Sequence, residues 1–386
     1  ETAFLFSRDE YYFPPRDMMF YQADLSGNQL MRQRMQVFKA LHDDIECVIV
    51  TTFDALMEKM VPPSLISEHI LTFKVGDILD AGEISATLSD LGYEREPETE
   101  EPGRFAIRGG IIDIYPLTEE NPFRIELWGD EIESIREYDA LSQRSVEKLE
   151  SVEIYPATDL IMDRDTRLKA KDRIEKESKQ LYDRLRKSMA TEQAYRLKTH
   201  TGEICEALAE HIAVNLSPYI TYFFDDTSSL IDYFREISAA IVIDEPARCE
   251  ERGNAVGKEW ADSAVHRIEG GYMLPGETDV MTDTKSVFAR LMNMPVLAVS
   301  MLNLTHEAYG FSKEFSVSSR SVNSYNRSFE ELVTDLNRYR NKGSRVVILS
   351  PSHTRAKKLT EDLNGLDIPA FYSEEGRAPV EGDSTG

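Results

Sequence analysis

Hydrophobic positions are spaced for helices and buried strands up to about Leu71, alternate with polar ones from there to about Pro156, and then return to the first texture. In the first stretch, Leu30, Arg34, Val37, Phe38 and Leu41 recur at helical spacing behind Ser26 and Asn28, either of which suits a helix cap. This predicts an amphipathic helix. Cys47 to Thr52 is a β-branched run that predicts a buried strand, and Asp54 to Met60 predicts a helix stopped by Pro62-Pro63. Helix, strand, helix is the texture of a parallel α/β layer.

In the alternating stretch, Arg104 to Arg108, Ile111 to Tyr115, Phe123 to Trp128 and Glu131 to Ile135 read as strands of a mostly antiparallel sheet. The breaks between them hold Gly109-Gly110, Asn121-Pro122 and Gly129-Asp130, residues that tight turns demand. A helix from about Glu83 to Leu91 would cover one face. Parity sets Arg124, Glu126 and Trp128 on one side of their strand and Phe123, Ile125 and Leu127 on the other. If the second set is core, Trp128 is exposed.

Beyond Asp163, Ala170, Ile174, Leu181 and Leu185 form a thin apolar stripe through a charged run, predicting a long, mostly solvated helix. Ile237 to Glu245 predicts a buried strand, Lys285 to Met292 a helix, and Pro295 to Met301 another strand. If the returning α/β texture continues the sheet begun at Cys47 to Thr52, the antiparallel stretch is an insertion within a discontinuous domain. From Phe311 a Ser-, Asn- and Arg-rich linker leads to helix (Phe329 to Tyr339), strand (Arg345 to Ser350) and helix (Thr354 to Leu363), a small α/β domain. The Gly-, Pro-, Glu- and Ser-rich tail from Glu374 to Gly386 is expected to be disordered.

Composition narrows the function. With 386 residues and 41% hydrophobic content, the chain holds more than one core. Lys+Arg 44 against Asp+Glu 69 gives a net charge of -25, which disfavours general nucleic-acid or anionic-membrane binding. No apolar run approaches a membrane span. The opening at Glu1, with no basic flank before its short apolar stretch, fits a piece of a longer protein better than a signal peptide. Cys47, Cys205 and Cys249 lie far apart without a CxxC, as reduced cysteines of a cytosolic protein do.

Catalytic motifs are hard to find. Gly253 to Glu259 is the nearest approach to a phosphate-cradling P-loop, but it is one residue short and puts Glu259 where a Ser or Thr should hold magnesium; a surface turn is the better reading. Asp244-Glu245 ends an apolar strand as a Walker B motif does, although acidic residues commonly end buried strands where the chain reaches solvent. The pair reads at most as the vestige of a nucleotide site. His306-Glu307 lacks the second histidine of a zinc-binding HExxH, and no metal set is expected. The more informative stretch is Gly103 to Ser145, where Arg104, Arg108, Arg124, Arg136 and Arg144 interleave with Phe105, Tyr115, Phe123 and Trp128. Arg and Trp are enriched at binding hot spots, while the plainer reading is a cross-strand ladder of ion pairs with Trp128 at the sheet edge. The residues alone leave both readings open.

Gly103-Arg-Phe-Ala-Ile-Arg-Gly-Gly-Ile-Ile-Asp-Ile-Tyr-Pro116, Pro122-Phe-Arg-Ile-Glu-Leu-Trp-Gly-Asp-Glu-Ile132 and Gln143-Arg-Ser145 resemble the UvrA-binding module shared by the excision-repair protein UvrB and the bacterial transcription-repair coupling factors (Mfd). The flanks Tyr11-Tyr-Phe-Pro-Pro15, Phe20-Tyr-Gln-Ala-Asp24, Arg32-Gln-Arg34 and Thr51-Thr-Phe-Asp-Ala-Leu56 resemble the second family, and the intact P-loop and Tyr-rich hairpin of UvrB are missing. Membership would imply a degenerate helicase-like (P-loop NTPase-type) α/β domain, whose first part, truncated, is residues 1–68 and whose second part is residues 157–308. It would be interrupted by a UvrA-binding module at 69–156 and followed by a small α/β domain at 309–386. The resemblance implies a UvrA contact on Arg108, Arg124 and Trp128, with Arg104, Asp113, Glu126, Arg136, Asp139 and Arg144 in support. It further implies a non-catalytic fragment without cofactor that recruits UvrA to stalled RNA polymerase in the bacterial cytoplasm. ATP, magnesium, DNA and polymerase would be handled by other parts of the parent, whose C-terminal domain masks the UvrA surface. The alternative is a UvrB-like, ATP-dependent damage-verification subunit using Asp244 and Glu245.

Overall fold

The computed structural model describes residues 8–16, 27–210, 215–235, 237, 239–301, 309–317, 325 and 328–373. Arg8–Tyr309 forms one compact unit, and Gly310 onward belongs to another. The Ser26 cap, the Phe20 to Asp24 motif, His306-Glu307 and the tail from Glu374 lie outside the described residues.

The large unit opens with strand β1 (Asp9–Phe13), helix α1 (Gly27–His42) and strand β2 (Cys47–Thr51). β1 and β2 pair in parallel, Asp9 opposite Cys47 through Phe13 opposite Thr51, as a strand–helix–strand unit does. α1 buries Arg34, Val37 and Phe38 of its predicted stripe, the arginine completely, and adds Met35, which lies outside that stripe. The next helix, α2 (Phe53–Met57), is capped by the Thr52 hydroxyl and ends earlier than the prolines require. Glu58 leaves it in extended backbone, its carboxylate bonded to Arg34, and Met60 then exchanges backbone hydrogen bonds with Ser228. Pro63 opens α3 (Pro63–Glu68) instead of merely ending its predecessor, since a first-turn proline gives up no helical hydrogen bond.

The central part runs from β3 (Leu71–Lys74) through α4 (Ala81–Asp90) and seven strands: β4 (Glu94–Arg95), β5 (Arg104–Arg108), β6 (Ile111–Tyr115), β7 (Phe123–Trp128), β8 (Glu131–Tyr138), β9 (Ser145–Leu149) and β10 (Ser151–Ile154). β3 and β10 pair antiparallel, Leu71 opposite Ile154, so the part begins and ends at one two-stranded ribbon. Between them lies a six-stranded sheet in the order β4-β5-β6-β7-β8-β9, antiparallel except for β4 against β5. Ile107, Ile112, Ile125, Ile135 and Leu149 form one unbroken cross-strand row facing the core. Ile112, Ile125 and Ile135 are fully buried, each worth ~2 kcal/mol of transfer free energy, and Ile107 and Leu149 at the ends of the row are partly buried. The Asp80 carboxylate caps α4 by accepting from the Gly82 and Glu83 amides.

The rest of the unit is more helical than its sequence pattern indicates. α5 (Arg164–Lys187) buries the expected Ala170, Ile174, Leu181 and Leu185. Its partner α6 (Thr191–Glu210) packs along it through Ala194, Leu197, Ile204 and Leu208. Short helices α7 (Ile220–Phe223) and α8 (Leu230–Arg235) precede β11 (Ile241–Asp244), and α9 (Pro246–Glu269) and α10 (Thr284–Leu291) lie between β11 and its parallel partner β12 (Val296–Val299). Both strands are shorter than the apolar runs that predict them. Gly253 to Glu259, expected as a surface turn, lies in the middle of α9. Its amides bond along the helix and cannot cradle phosphate.

In the other unit, α11 (Phe329–Asn341) and α12 (His353–Asn364) are capped by Ser328 and Ser352 and share a small core of Leu336, Leu363 and Ile368. The expected strand Arg345 to Ser350 is not one among the described residues. Its β-branched run has the right propensity, but a strand needs a partner for its ladder, and Val347 and Leu349 are exposed. The described part of this unit is therefore helical where an α/β domain was expected.

Candidate functional site

The six-stranded sheet packs one face on the core, and the other, buried at Ala106 and Asp113 but exposed towards the β5–β6 and β7–β8 turns, carries the chemistry. Two turns shape it. Arg108 is paired with Ile111 around Gly109-Gly110, and Trp128 with Glu131 around Gly129-Asp130. Gly109 and Gly129 have φ of 61° and 65°, the left-handed values such two-residue hairpins require. At Gly110 the limit is space, because a Cβ there would stand 2.9 Å from the Leu127 carbonyl oxygen.

Asp113 on β6 organises this face. It is almost wholly buried and accepts from two guanidinium groups: Arg108 Nη2 at 2.6 Å, and Arg124 through Nε at 2.7 Å and Nη2 at 2.9 Å. Arg124 reaches it because Asp113 and Arg124 are direct partners in the β6–β7 register. The Arg124 side chain is only 17% exposed, lies over the Tyr138 ring at 4.3 Å and donates to Gln143 Oε1 at 2.9 Å. Hydrogen bonding to Asp113 holds its pKa above the ordinary arginine value. Burial, with the nearby Asp113 charge, pushes the Tyr138 hydroxyl up to about 12, so a neutral phenol lies under the cation. Arg108, 42% exposed, keeps Nη1 at 3.7 Å from Glu98 and faces solvent. Two cations share the buried anion, Glu98 balances Arg108 from the solvent side, and Arg108 is the cation of the group that a partner can reach.

The remaining sequence-predicted residues divide. Trp128 is 78% exposed, as strand parity requires, on the same side of β7 as Arg124 and Glu126. Glu126 accepts from Ser134 Oγ at 2.7 Å and from Arg136, and these bonds, the serine's first, hold its carboxyl below the usual range. Arg104 pairs with Glu94 across β4–β5. Asp139 does not orient an arginine: its carboxylate accepts from the Ser142 amide at 2.7 Å and closes the turn before β9. Arg144 lies exposed beyond that turn, its carbonyl accepting from the Asp139 amide. The structure thus gathers Arg108, Asp113, Arg124, Glu126, Arg136 and Trp128 on one face and leaves Arg104, Asp139 and Arg144 in local structural bonds.

Tyr138 and Gln143 belong to this cluster and escaped sequence reasoning. The signal was weak, because irregularities in the β7–β8 register at Glu126/Leu127 and in the β8–β9 register at Glu137/Tyr138 interrupt simple alternation. Asp244 and Glu245 are elsewhere. Glu245, with φ of 52°, starts α9, and its carboxylate accepts from the Met301 amide at 2.9 Å and the Ser300 hydroxyl at 3.2 Å. It ties β11 to the end of β12. No group of His, Cys, Asp and Glu among the described residues could hold a metal ion, and no described helix is long and apolar enough to cross a membrane.

Comparison with known proteins is consistent with this geometry. Residues 71–160, the stretch from β3 to just past β10, match the family described as the UvrB interaction domain. The chain is 29% identical over 383 residues to the transcription-repair-coupling factor of Bacillus subtilis (strain 168), covering 99% of this chain and 32% of the relative. It is 27% identical over 364 residues to that of Staphylococcus epidermidis, covering 93% of this chain and 30% of the relative. With that of Staphylococcus aureus (strain MRSA252) it shares 26% over 366 residues. The chain therefore spans about a third of the length of the curated relatives it matches.

Proposed function

We propose that this chain is the N-terminal part of a transcription-repair coupling factor and that it recruits the excision-repair protein UvrA through the open face of its six-stranded sheet. The observation that carries the reading is the pairing of Arg108 and Trp128, both exposed, on the same sheet face, above a buried Asp113 that fixes the cationic end. Arg108 would meet a carboxylate of the partner, and Trp128 would supply apolar area. The match of residues 71–160 to the UvrB interaction domain and the alignment of nearly the whole chain with the coupling factors support it.

In this reading the flanking parallel units, β1-β2 and β11-β12, are the two parts of a degenerate helicase-like domain, and these residues bind no nucleotide. Nucleotide turnover, DNA and RNA polymerase belong to other parts of a cytoplasmic parent, whose C-terminal domain covers the UvrA surface at rest. The engagement of Glu245 with Ser300 and Met301 supports a bracing role for that carboxylate over magnesium binding.

The test is a titration of purified UvrA against this chain, unaltered and with Arg108→Ala or Trp128→Ala. Binding that each substitution weakens is expected. Absence of binding by the unaltered chain, or ATP turnover abolished by Glu245→Gln, overturns the reading.

A further inference from the structure

We infer that the partner-docking face continues past Trp128 onto Ile78, making the site a strip with a cationic end at Arg108 and an apolar end formed by Ile78 and Trp128 on either side of Glu131. The inference rests on the UvrA-recruiting reading and extends it to a residue outside the sheet's strands.

The placement follows from register. Trp128 pairs with Glu131 across the β7–β8 turn, and Glu131 pairs on its other side with Ile78 in an isolated antiparallel bridge. Directly paired residues point to the same face, and successive partners stand ~5 Å apart, so the three side chains form one row with the two apolar ones ~10 Å apart. Trp128 is 78% and Ile78 71% exposed.

Ile78 is held in this position by its backbone. The Gly76 amide donates to the Ile132 carbonyl at 2.9 Å, the Ile132 amide to Asp77 at 2.8 Å, and the Leu79 amide to Asp130 at 2.7 Å. The Asp77 carboxylate accepts from the Lys74 amide, Leu79 packs against the core, and Asp80 caps α4. The residues on both sides of Ile78 are thus anchored, and its side chain is kept out of the core. One exposed isoleucine is ordinary. A preorganised isoleucine sharing a row with an exposed tryptophan, on the face that carries Arg108, has the form of an anchor pair, because fixed side chains lose little entropy on docking.

The charges say what kind of surface fits. Arg108 asks for an acidic group at one end, and Glu131 between the apolar anchors asks for a basic group at the other. A UvrA surface with an apolar cleft, a cation at its rim and a carboxylate farther along would dock in one direction only, since reversal sets like charges together.

The test uses the full chain and purified UvrA, read by titration and by thermal melting of the free variants. Ile78→Asp is expected to weaken binding by about tenfold or more and Ile78→Ala by about threefold or more, on the scale of interface anchors, with melting temperatures close to that of the unaltered chain. Glu131→Lys should weaken binding as well. Met189→Asp, an equally drastic change at an exposed residue between α5 and α6, should leave binding unchanged. Retention of near-normal binding by both Ile78 variants while Trp128→Ala loses it overturns the inference and leaves the functional reading standing. An equal loss with Met189→Asp overturns it too. Failure of the unaltered chain to bind UvrA overturns both.

Discussion

Arg34 and Asp159, 125 residues apart, meet in the core, where Arg34 Nε donates to Asp159 Oδ2 at 2.8 Å. Arg34 also donates to Glu58 Oε2 at 2.9 Å and to the Pro14 carbonyl at 3.0 Å, and lies over the Phe13 ring. Arg16 adds a second cation on Asp159, so two positive and two negative groups balance. Burial works to raise the Asp159 pKa, yet Arg16 and Arg34 hold it below the usual carboxylate range. The cluster joins β1, α1 and the segment after α2 to the end of the stretch that matches the UvrB interaction domain. Asp159→Asn should therefore destabilise the large unit by ~3–5 kcal/mol, the scale for breaking one side of a buried ion pair. Urea unfolding followed by circular dichroism measures it; a loss under 1 kcal/mol would show that the cluster is not a clasp.

The three residues expected to touch UvrA should separate in their effect on folding. Arg124→Ala removes two hydrogen bonds to buried Asp113 and the cover of Tyr138, so a stability loss of ~2–3 kcal/mol is expected. Arg108→Ala leaves Asp113 held by Arg124, and Trp128→Ala removes an exposed ring, so both should melt within ~1 kcal/mol of the unaltered chain. Melts of the three variants beside UvrA titrations then show whether Arg124 acts as a contact or as the support that fixes Asp113 and Arg108. Normal stability of Arg124→Ala would make it a free surface residue.

What the sequence disclosed follows from the range of each signal. Strand parity within β7 is local, and it correctly exposed Trp128 and buried Ile125. The partnership of Arg124 with Tyr138 depends on registers interrupted on both sides of β8, which no local alternation reveals. Arg34 occupies an apolar-stripe position in α1, so its place was legible, but its partners Glu58 and Asp159 come from distant segments. Glycines at Gly253 and Gly257 suggested a turn, yet α9 runs through both, and only at Gly253 do Phe53 and Thr284 crowd the helix face. At Arg345 to Ser350 the propensity is that of a strand, and propensity alone does not supply a partner.

A pH dependence should arise at Glu277. Its carboxylate is almost wholly buried, accepts from the Leu274 amide at 2.7 Å and is pushed up to about 8 by burial, with Glu177 raising it further and the Leu274 amide and Arg267 opposing. The folded form thus holds a proton that the unfolded chain releases near the ordinary glutamate value of about 4.3. Stability from this group is present below that value and is lost as pH rises through about 8. Glu277→Gln, neutral throughout, should flatten the decline, so that its melting temperature exceeds that of the unaltered chain by more at pH 8 than at pH 5. A constant difference between the two proteins over that range would show that Glu277 ionises normally.

Gly253 and Gly257 give opposite expectations one helical turn apart. A Cβ on Gly253 would stand 2.5 Å from Phe53 Cε1 and 2.8 Å from Thr284 Oγ1, where α9 crosses α2 and α10. Phe53 cannot easily withdraw, because its ring packs on Phe288 at 5.0 Å between centroids. Overpacking of this kind costs ~1–3 kcal/mol, more than the ~1 kcal/mol that alanine contributes over glycine in a helix interior. At Gly257 the nearest atom to an added Cβ is Met57 Cε at 4.0 Å, an ordinary contact, and the helix preference acts alone. Gly253→Ala should therefore lower the denaturation midpoint and Gly257→Ala raise it by ~0.5–1 kcal/mol of stability. A remnant phosphate loop would make the two glycines equivalent in a loop, and parallel shifts in the same direction would revive that reading against the helix crossing.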